Sequence, residues 1–348
     1  MQINGRGTTG WYGSEKKSYN LKLDEKESIC GMPKSKKWAM IDNYHDRSLL
    51  RNLYVSYVNH HVFDKMRWNP TYVMCDFVLN GEYKGTYNLA ERIKLESKRL
   101  DIPDIMKVDN IIDGGFLCEI DERFDEAWHF RTTHGVNTYT GNAGVAICLK
   151  DPDEVNEIVF EHVQSIVQAA EDALFADDFT DPEIGYARYF DVDDLVEWYL
   201  IHEFACMYDA SDFYTSAYFY YDPSDRQLHM GPCWDYDTAL RRDVEGLELC
   251  VINAWYKRLF EDEHFVSRVK ARWNEKKEAL RLSVTQIDRM ADDIRVSADY
   301  NFMRWPVLGT PYAGIDEWAH LKTFKEQITF LKNWCETRIV QMNEQLTN

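Results

Sequence analysis

The chain has 348 residues, 45% of them hydrophobic and 14% aromatic, enough for one large domain or two lobes around a shared core. Its 59 acidic residues outnumber 40 basic ones, and the net charge of -19 repels a polyphosphate backbone, which makes nucleic acid a poor partner. No apolar run approaches the roughly 20 residues that span a bilayer, so no membrane insertion is expected. The 8 cysteines are scattered singly, without the paired spacing of a zinc site. Several lie in apolar runs such as VMCDFVL and FLCEI, where a buried free thiol is expected.

Met1 leads directly into QINGRGTTGW, which reads as the interior of a domain, so a natural N-terminal segment is expected to be missing. The stretch NGRGTTGWYG carries four glycines in ten residues, a loop able to bring backbone N–H groups close to a ligand. KKSYNLKLD follows and alternates, with Tyr19, Leu21 and Leu23 on one face and Ser18, Asn20 and Lys22 on the other, the pattern of a half-buried strand. A helix is expected from about Ser48 to Phe63, with Leu49, Leu50, Leu53 and Tyr57 at helical spacing. TYVMCDFVLNGEYKGTYNLAERI then alternates on both sides of Asn80-Gly81, a strong hairpin signal.

Beyond the connector IIDGGFLCEIDERFDE the period becomes helical. Val155, Ile158, Val159, Val163, Ile166, Val167 and Ala170 form a stripe introduced by Asp151-Pro152. A second helix is expected to start at Asp191, whose side chain can cap it. AYFYYDPSDRQLHMGP reads as two short strands about a turn, and it delivers the chain into WDYD at residues 234–237. The last hundred residues read as helical, ending in an amphipathic stretch through Ile328, Leu331, Cys335, Ile339 and Met342.

A Gly-rich loop, a strand lysine, a helix, a hairpin and two aspartate-bearing loops on either side of two short strands make up the parts that phosphoryl transfer from a nucleotide needs. The loop covers phosphates, a lysine neutralises them, one carboxylate orients the attacking hydroxyl and another holds magnesium. A glycoside hydrolase would also pair carboxylates with aromatics, but the loop and strand lysine have no part in that chemistry. A catalytically weak or inactive surface-binding module is the stronger rival, because a fold can lose turnover and keep its cleft.

The residues resemble the CotH family of atypical, spore-coat-type protein kinases. The matching pieces are GRGTTGW with KKSYNLKLD, GMPKSKKWAMIDNYHDRSLLRN, VLNGEYKGTYNLAERIK, YDASDFYTSAYFYYD and GPCWDYD, in the family's order over about residues 4–305. The resemblance implies an α+β, reduced, kinase-like two-lobed fold in one domain over 1–348. A strand-rich N-terminal lobe would end at about 105, with a connector and helical C-terminal lobe beyond. It also implies ATP with Mg²⁺ or Mn²⁺ and transfer to Ser or Thr of a protein, with a basic, Ser-rich substrate expected and an extracellular, cell-surface or spore-coat location favoured.

On that resemblance Asp235 of WDYD is the expected metal ligand and Asp237 a further candidate. Asp209 is expected to accept the substrate hydroxyl proton, with Asp212 as the alternative or as a turn cap. Phosphate candidates are Arg6, Lys16, Lys17 and Lys22; Lys17 and Lys22 have opposite strand parity, and Lys22 is favoured. Arg51 matches from the helix, and Glu91 is expected to meet the adenosine or the cleft lysine. Two features depart from ordinary kinases. The helix SLLRNLYVSYVNHHVF has no Glu to pair with the lysine, and no Asn follows Asp209, where Ser211, Thr215 and Ser216 stand instead.

Overall fold

A computed structural model describes residues 1–7, 9–242, 251–311 and 319–347. The first sheet gathers β1 (Gln2–Gly5), β2 (Tyr19–Glu27), β3 (Ser35–Ile41), β4 (Tyr72–Leu79) and β5 (Glu82–Glu91) in the order β1-β2-β3-β5-β4, every neighbouring pair antiparallel. A short helix α1 (Thr9–Gly13) lies between β1 and β2. The expected alternation in β2 holds: Leu21 is buried with Trp38, Met40, Tyr87 and Leu89, and Tyr19 and Leu23 pack on the same cluster. β4 and β5 meet at Asn80 (φ 52°) and Gly81 (φ 82°), both left-handed, the backbone that a two-residue hairpin turn needs.

The other face of this sheet is set by the same register. Ala39 pairs with Asn20 and Ala90, and Ala39, Ile41, Ala90 and Tyr72 pack on Trp234 of the WDYD segment. The sheet therefore sits over WDYD. On β5 it is held by α8 (Gln286–Arg304), which follows α2 (Arg51–His61), α3 (Glu157–Phe175), α4 (Val192–Ala205), α5 (Tyr208–Ser211), α6 (Ala254–Leu259) and α7 (Glu263–Ser283) in the chain. Gly85 on β5 permits that approach: with φ at +113°, a Cβ there would lie 2.6 Å from Asn301 Oδ1 of α8.

A second sheet carries β6 (Phe116–Ile120), β7 (His129–Arg131), β8 (Ala146–Asp151), β9 (Ala217–Asp222) and β10 (Gln227–Met230) in the order β10-β9-β6-β8-β7, also antiparallel. It shares one large apolar core with α2, α3, α4 and the C-terminal helices, including α9 (Phe324–Thr347). Asp191 caps α4 as expected, accepting from Asp194 N at 2.9 Å. No described helix is long and apolar enough to cross a membrane.

Three expectations are corrected by packing. Beyond 105 the structure adds β6, β7 and β8 to the helices and two short strands expected there, since β6 and β8 are buried at nearly every position and so show no alternation in sequence. Asn156, not Asp151-Pro152, caps α3, and Ile158 lies exposed, off its buried face. In α2 the buried set is Arg51, Asn52, Tyr54, Val55, Ser56, Val58 and Asn59, a half-polar face that the leucine stripe did not indicate. Cys118, Cys148, Cys206, Cys233 and Cys335 are buried, and Cys250 lies outside the described residues.

Candidate active site

WDYD has no regular structure and is held by other segments through its backbone. Cys233 N donates to Asn69 Oδ1 at 2.8 Å, Tyr236 N donates to Asn52 Oδ1 at 2.8 Å, and Arg51 Nε donates to Ala239 O at 2.7 Å. Tyr236 is anchored by its side chain as well. Burial pulls the His202 pKa down to about 3, so the ring is neutral. Its Nδ1–H donates to Trp198 O at 2.8 Å and its Nε2 accepts from the Tyr236 hydroxyl at 3.2 Å. Trp234 packs on Tyr72 with centroids 5.6 Å apart. These anchors leave Asp235 at φ 71°, a left-handed backbone that costs energy away from glycine and recurs at functional sites. Its carboxylate accepts from Ser216 Oγ at 3.3 Å.

Because Asn52 replaces a missing ladder for the loop, Asn52→Leu should lower unfolding stability by about 1–3 kcal/mol, leaving Tyr236 N buried and unpaired. Denaturant midpoints measure this; a variant as stable as the parent would show that the loop holds itself.

Several carboxylates share the space around WDYD. Burial chiefly, then the charges of Asp235 and Asp42, push the Asp237 carboxyl well above its ordinary range, and Arg241 opposes them. Asp209 is also raised, by burial and by Asp235, with Arg242, Arg123 and Arg241 opposing. Asp212 is pushed up to about 6, first by burial, against Arg242 and Lys257. Asp235 therefore lies close enough to repel both Asp209 and Asp237, and repulsion among oxygen ligands is what a divalent cation relieves.

The basic candidates divide. Arg6 reaches the site, its guanidinium 5.1 Å from the Trp234 ring centre. Lys22 is exposed on β2 opposite Lys37 of β3, on the sheet face that carries Ala39 and meets Trp234. Both line a cavity of about 440 Å³ with Lys26, Lys36, Lys94 and Lys107. Lys17 is spent on the Gly-rich segment, donating to Trp11 O and Ser14 O. Arg51 is buried in an ion pair with Asp46 and positions the loop, so its expected phosphate contact gives way to a scaffolding one. Glu91 pairs with Trp38 in the register, on the face away from WDYD, where it accepts from Arg99 Nε at 3.2 Å and Thr71 N at 3.1 Å. That corrects its expected contact with adenosine or the cleft lysine.

Lys16 is 1% exposed and ties the lobes together: Nζ donates to Thr86 O at 2.6 Å and to Asn301 Oδ1 at 2.9 Å. Burial lowers its pKa from 10.5 to about 7, with Asp42, Cys75 and Asp76 opposing. The unfolded chain therefore binds this proton between pH 7 and 10.5 and the folded chain releases it, so this contribution to stability rises with pH through that window. In Lys16→Met the penalty disappears. The variant should gain on the parent by a few kcal/mol, order of magnitude, at pH 6 relative to pH 10. Parallel stability profiles for the two proteins would contradict this.

Sequence reasoning passed over Asp42, Arg241, Arg242 and the buried Glu119–Lys150 pair. Asp42 accepts from Ser18 Oγ at 2.5 Å. Glu119 accepts from Ser216 N at 3.1 Å and faces Lys150 Nζ at 2.9 Å. The double arginine four residues past WDYD was the legible signal; the others come together through strand pairing. Buried polar atoms without a hydrogen bond gather here too: Asn20 Oδ1 and Asn88 Oδ1 on the sheet face above WDYD, both side-chain atoms of Asn43, and Asn52 Nδ2. Such atoms call for a polar occupant.

Comparison with known families matches residues 3–342 to the family described as CotH kinase protein. A comparison with curated proteins finds no match.

Proposed function

The chain belongs to the CotH kinase protein family, and on that premise we propose that it transfers the γ-phosphate of ATP to Ser or Thr of a protein with the help of Mg²⁺ or Mn²⁺. The observation that carries this reading is that Asp235, next to the Trp234 that packs on the first sheet, acts on both Asp209 and Asp237. Asp235 and Asp237 offer the hard oxygen donors that would hold the metal, which when bound would neutralise charge on the phosphate oxygens. Arg6 brings positive charge beside Trp234, whereas Lys22 lies further along the same sheet face, in a basic cavity that none of the three carboxylates lines. Asp209, exposed beside Asp235, would accept the proton of the attacking hydroxyl and orient it. The net charge of -19 favours a basic, Ser-rich protein segment as acceptor.

The test is transfer of radiolabel from the terminal phosphate of ATP to the chain itself or to a basic Ser-rich peptide, with and without Mn²⁺. One observation favours a binding module that has lost turnover: Glu91 and Lys17 are both engaged elsewhere, so the lysine–carboxylate pair of ordinary kinases is not made by these residues. Stabilisation by ATP and metal without label transfer would select that reading; neither effect would end both.

A further inference from the structure

Away from WDYD, the segment YFDVDDL and the hairpin YYDPSDRQLHM come together at the start of α4. Backbone bonds fix the meeting: Asp191 N donates to Leu228 O at 2.9 Å, and Leu228 N donates to Tyr189 O at 2.7 Å. Asp191 then spends Oδ1 on its cap and turns Oδ2 toward His229 of β10, 4.0 Å from Nδ1. Asp194, one turn into the helix, places Oδ2 2.8 Å from the same Nδ1. The opposite ring nitrogen, Nε2, lies 3.1 Å from Asp225 Oδ2. His229 and Asp194 are buried, with side chains 7% and 6% exposed.

A further, independent feature is Tyr220. It stands directly across from His229 in the β9–β10 register, with rings stacked at 4.8 Å and 3°. It is 2% exposed and its hydroxyl has no hydrogen-bond partner. Burial first and then the charge of Asp194 push its hydroxyl pKa up, Arg67 opposes, and Asp222 and Asp191 add to the rise. A buried hydroxyl idle beside two carboxylates is a group waiting for a partner.

We propose that Asp191, Asp194 and His229 Nδ1 form a site for a divalent transition-metal ion of the zinc type, with Asp225 holding the Nε2 proton and the Tyr220 hydroxyl at the edge of the ion's shell. The three ligand atoms lie within 4.8 Å of one another. Bond lengths of about 2.0–2.2 Å put ligand atoms roughly 3.4 Å apart, so as an ion displaces the Nδ1 proton Asp194 Oδ2 would back away from its 2.8 Å contact and the half-exposed Asp191 would close its 4.0 Å gap. One imidazole with two carboxylates suits zinc better than magnesium, which prefers oxygen alone. The Asp225 contact is the usual outer partner of a ligating histidine, fixing which nitrogen faces the ion. The ion would clamp the start of α4, which leads to Asp209, onto β10, which leads to Asp235. It would brace both carboxylate-bearing loops without joining the chemistry.

The experiment is Zn²⁺ binding to the full chain after chelator treatment, by equilibrium dialysis, with Co²⁺ absorption as an independent readout. The parent should take up about one Zn²⁺ at this site and show the visible bands of Co²⁺ bound to nitrogen and oxygen in low coordination. Asp235→Asn should keep both signals, which separates this site from the proposed catalytic metal. His229→Gln should lose both, and Asp225→Asn should bind Zn²⁺ about 10–100-fold more weakly. If His229→Gln fails to fold, the parent's Co²⁺ spectrum and Asp225→Asn decide. The proposal is overturned if the parent holds no Zn²⁺ beyond what Asp235→Asn loses, or if His229→Gln or Asp225→Asn binds as tightly as the parent.

Discussion

Asp235→Asn should abolish the stabilisation that ATP with Mg²⁺ or Mn²⁺ gives the parent, and any phosphotransfer with it, while the fold survives. A carboxylate facing a cation and phosphate contributes charge that an amide cannot. Survival of the fold follows from how the loop is held. Asn69, Asn52 and Arg51 grip the backbone at 233, 236 and 239, and the Asp235 side chain adds one 3.3 Å contact from Ser216. Asn tolerates the left-handed backbone at φ 71° about as well as Asp. Removing the charge also relieves Asp209 and Asp237, both raised by it, so the metal-free variant should melt at or above the parent's temperature. Melting curves with and without ATP and metal check both halves. A variant stabilised by the ligands as much as the parent would show that Asp235 is not the metal ligand.

Local pattern carried the first sheet. Tyr19, Leu21 and Leu23 alternate because that sheet packs on one face and meets a wetter cleft on the other, and Asn80-Gly81 states its turn outright. The second sheet was hidden for the opposite reason. FLCEI is buried at every position, and a strand covered on both faces has no period to read. The site divides along the same line. WDYD was legible because its carboxylates are adjacent in sequence. Arg51 and Glu91 were read as ligand contacts because a charge on a helix or strand end does not announce its partner. Asp46 and Ala239 take the first, Arg99 the second. Strand parity alone could have moved Glu91, since Ala90 faces Trp234 and its neighbour must face away. Lys16 could not have been placed so, because its partner Asn301 is 285 residues distant.

The aspartates of the YDASD segment should separate in kinetics. Asp209 lies in the single turn of α5, at the surface yet crowded enough for burial and Asp235 to raise its carboxyl, and that carboxylate makes no hydrogen bond among the described residues. A base that must meet a substrate hydroxyl needs that freedom. Asp212 was the expected turn cap, but its side chain does not cap. Its Oδ1 is buried without a partner, and its backbone carbonyl accepts from Asn137 Nδ2 at 3.1 Å. With the carboxyl pushed up to about 6 by burial, its charge is poorly accommodated, and Asp212→Asn removes that charge while keeping the side chain's shape, at little cost. Asp209→Asn should therefore cut turnover by on the order of 10² to 10⁴ while ATP affinity stays nearly unchanged, because the base touches the hydroxyl and not the nucleotide. Asp212→Asn should fall within a few-fold of the parent. Label-transfer rates with nucleotide titrations on the same preparations resolve the pair. If Asp212→Asn is the dead variant and Asp209→Asn the active one, the proton acceptor is Asp212, beside Arg242, and Asp209 serves to tune it.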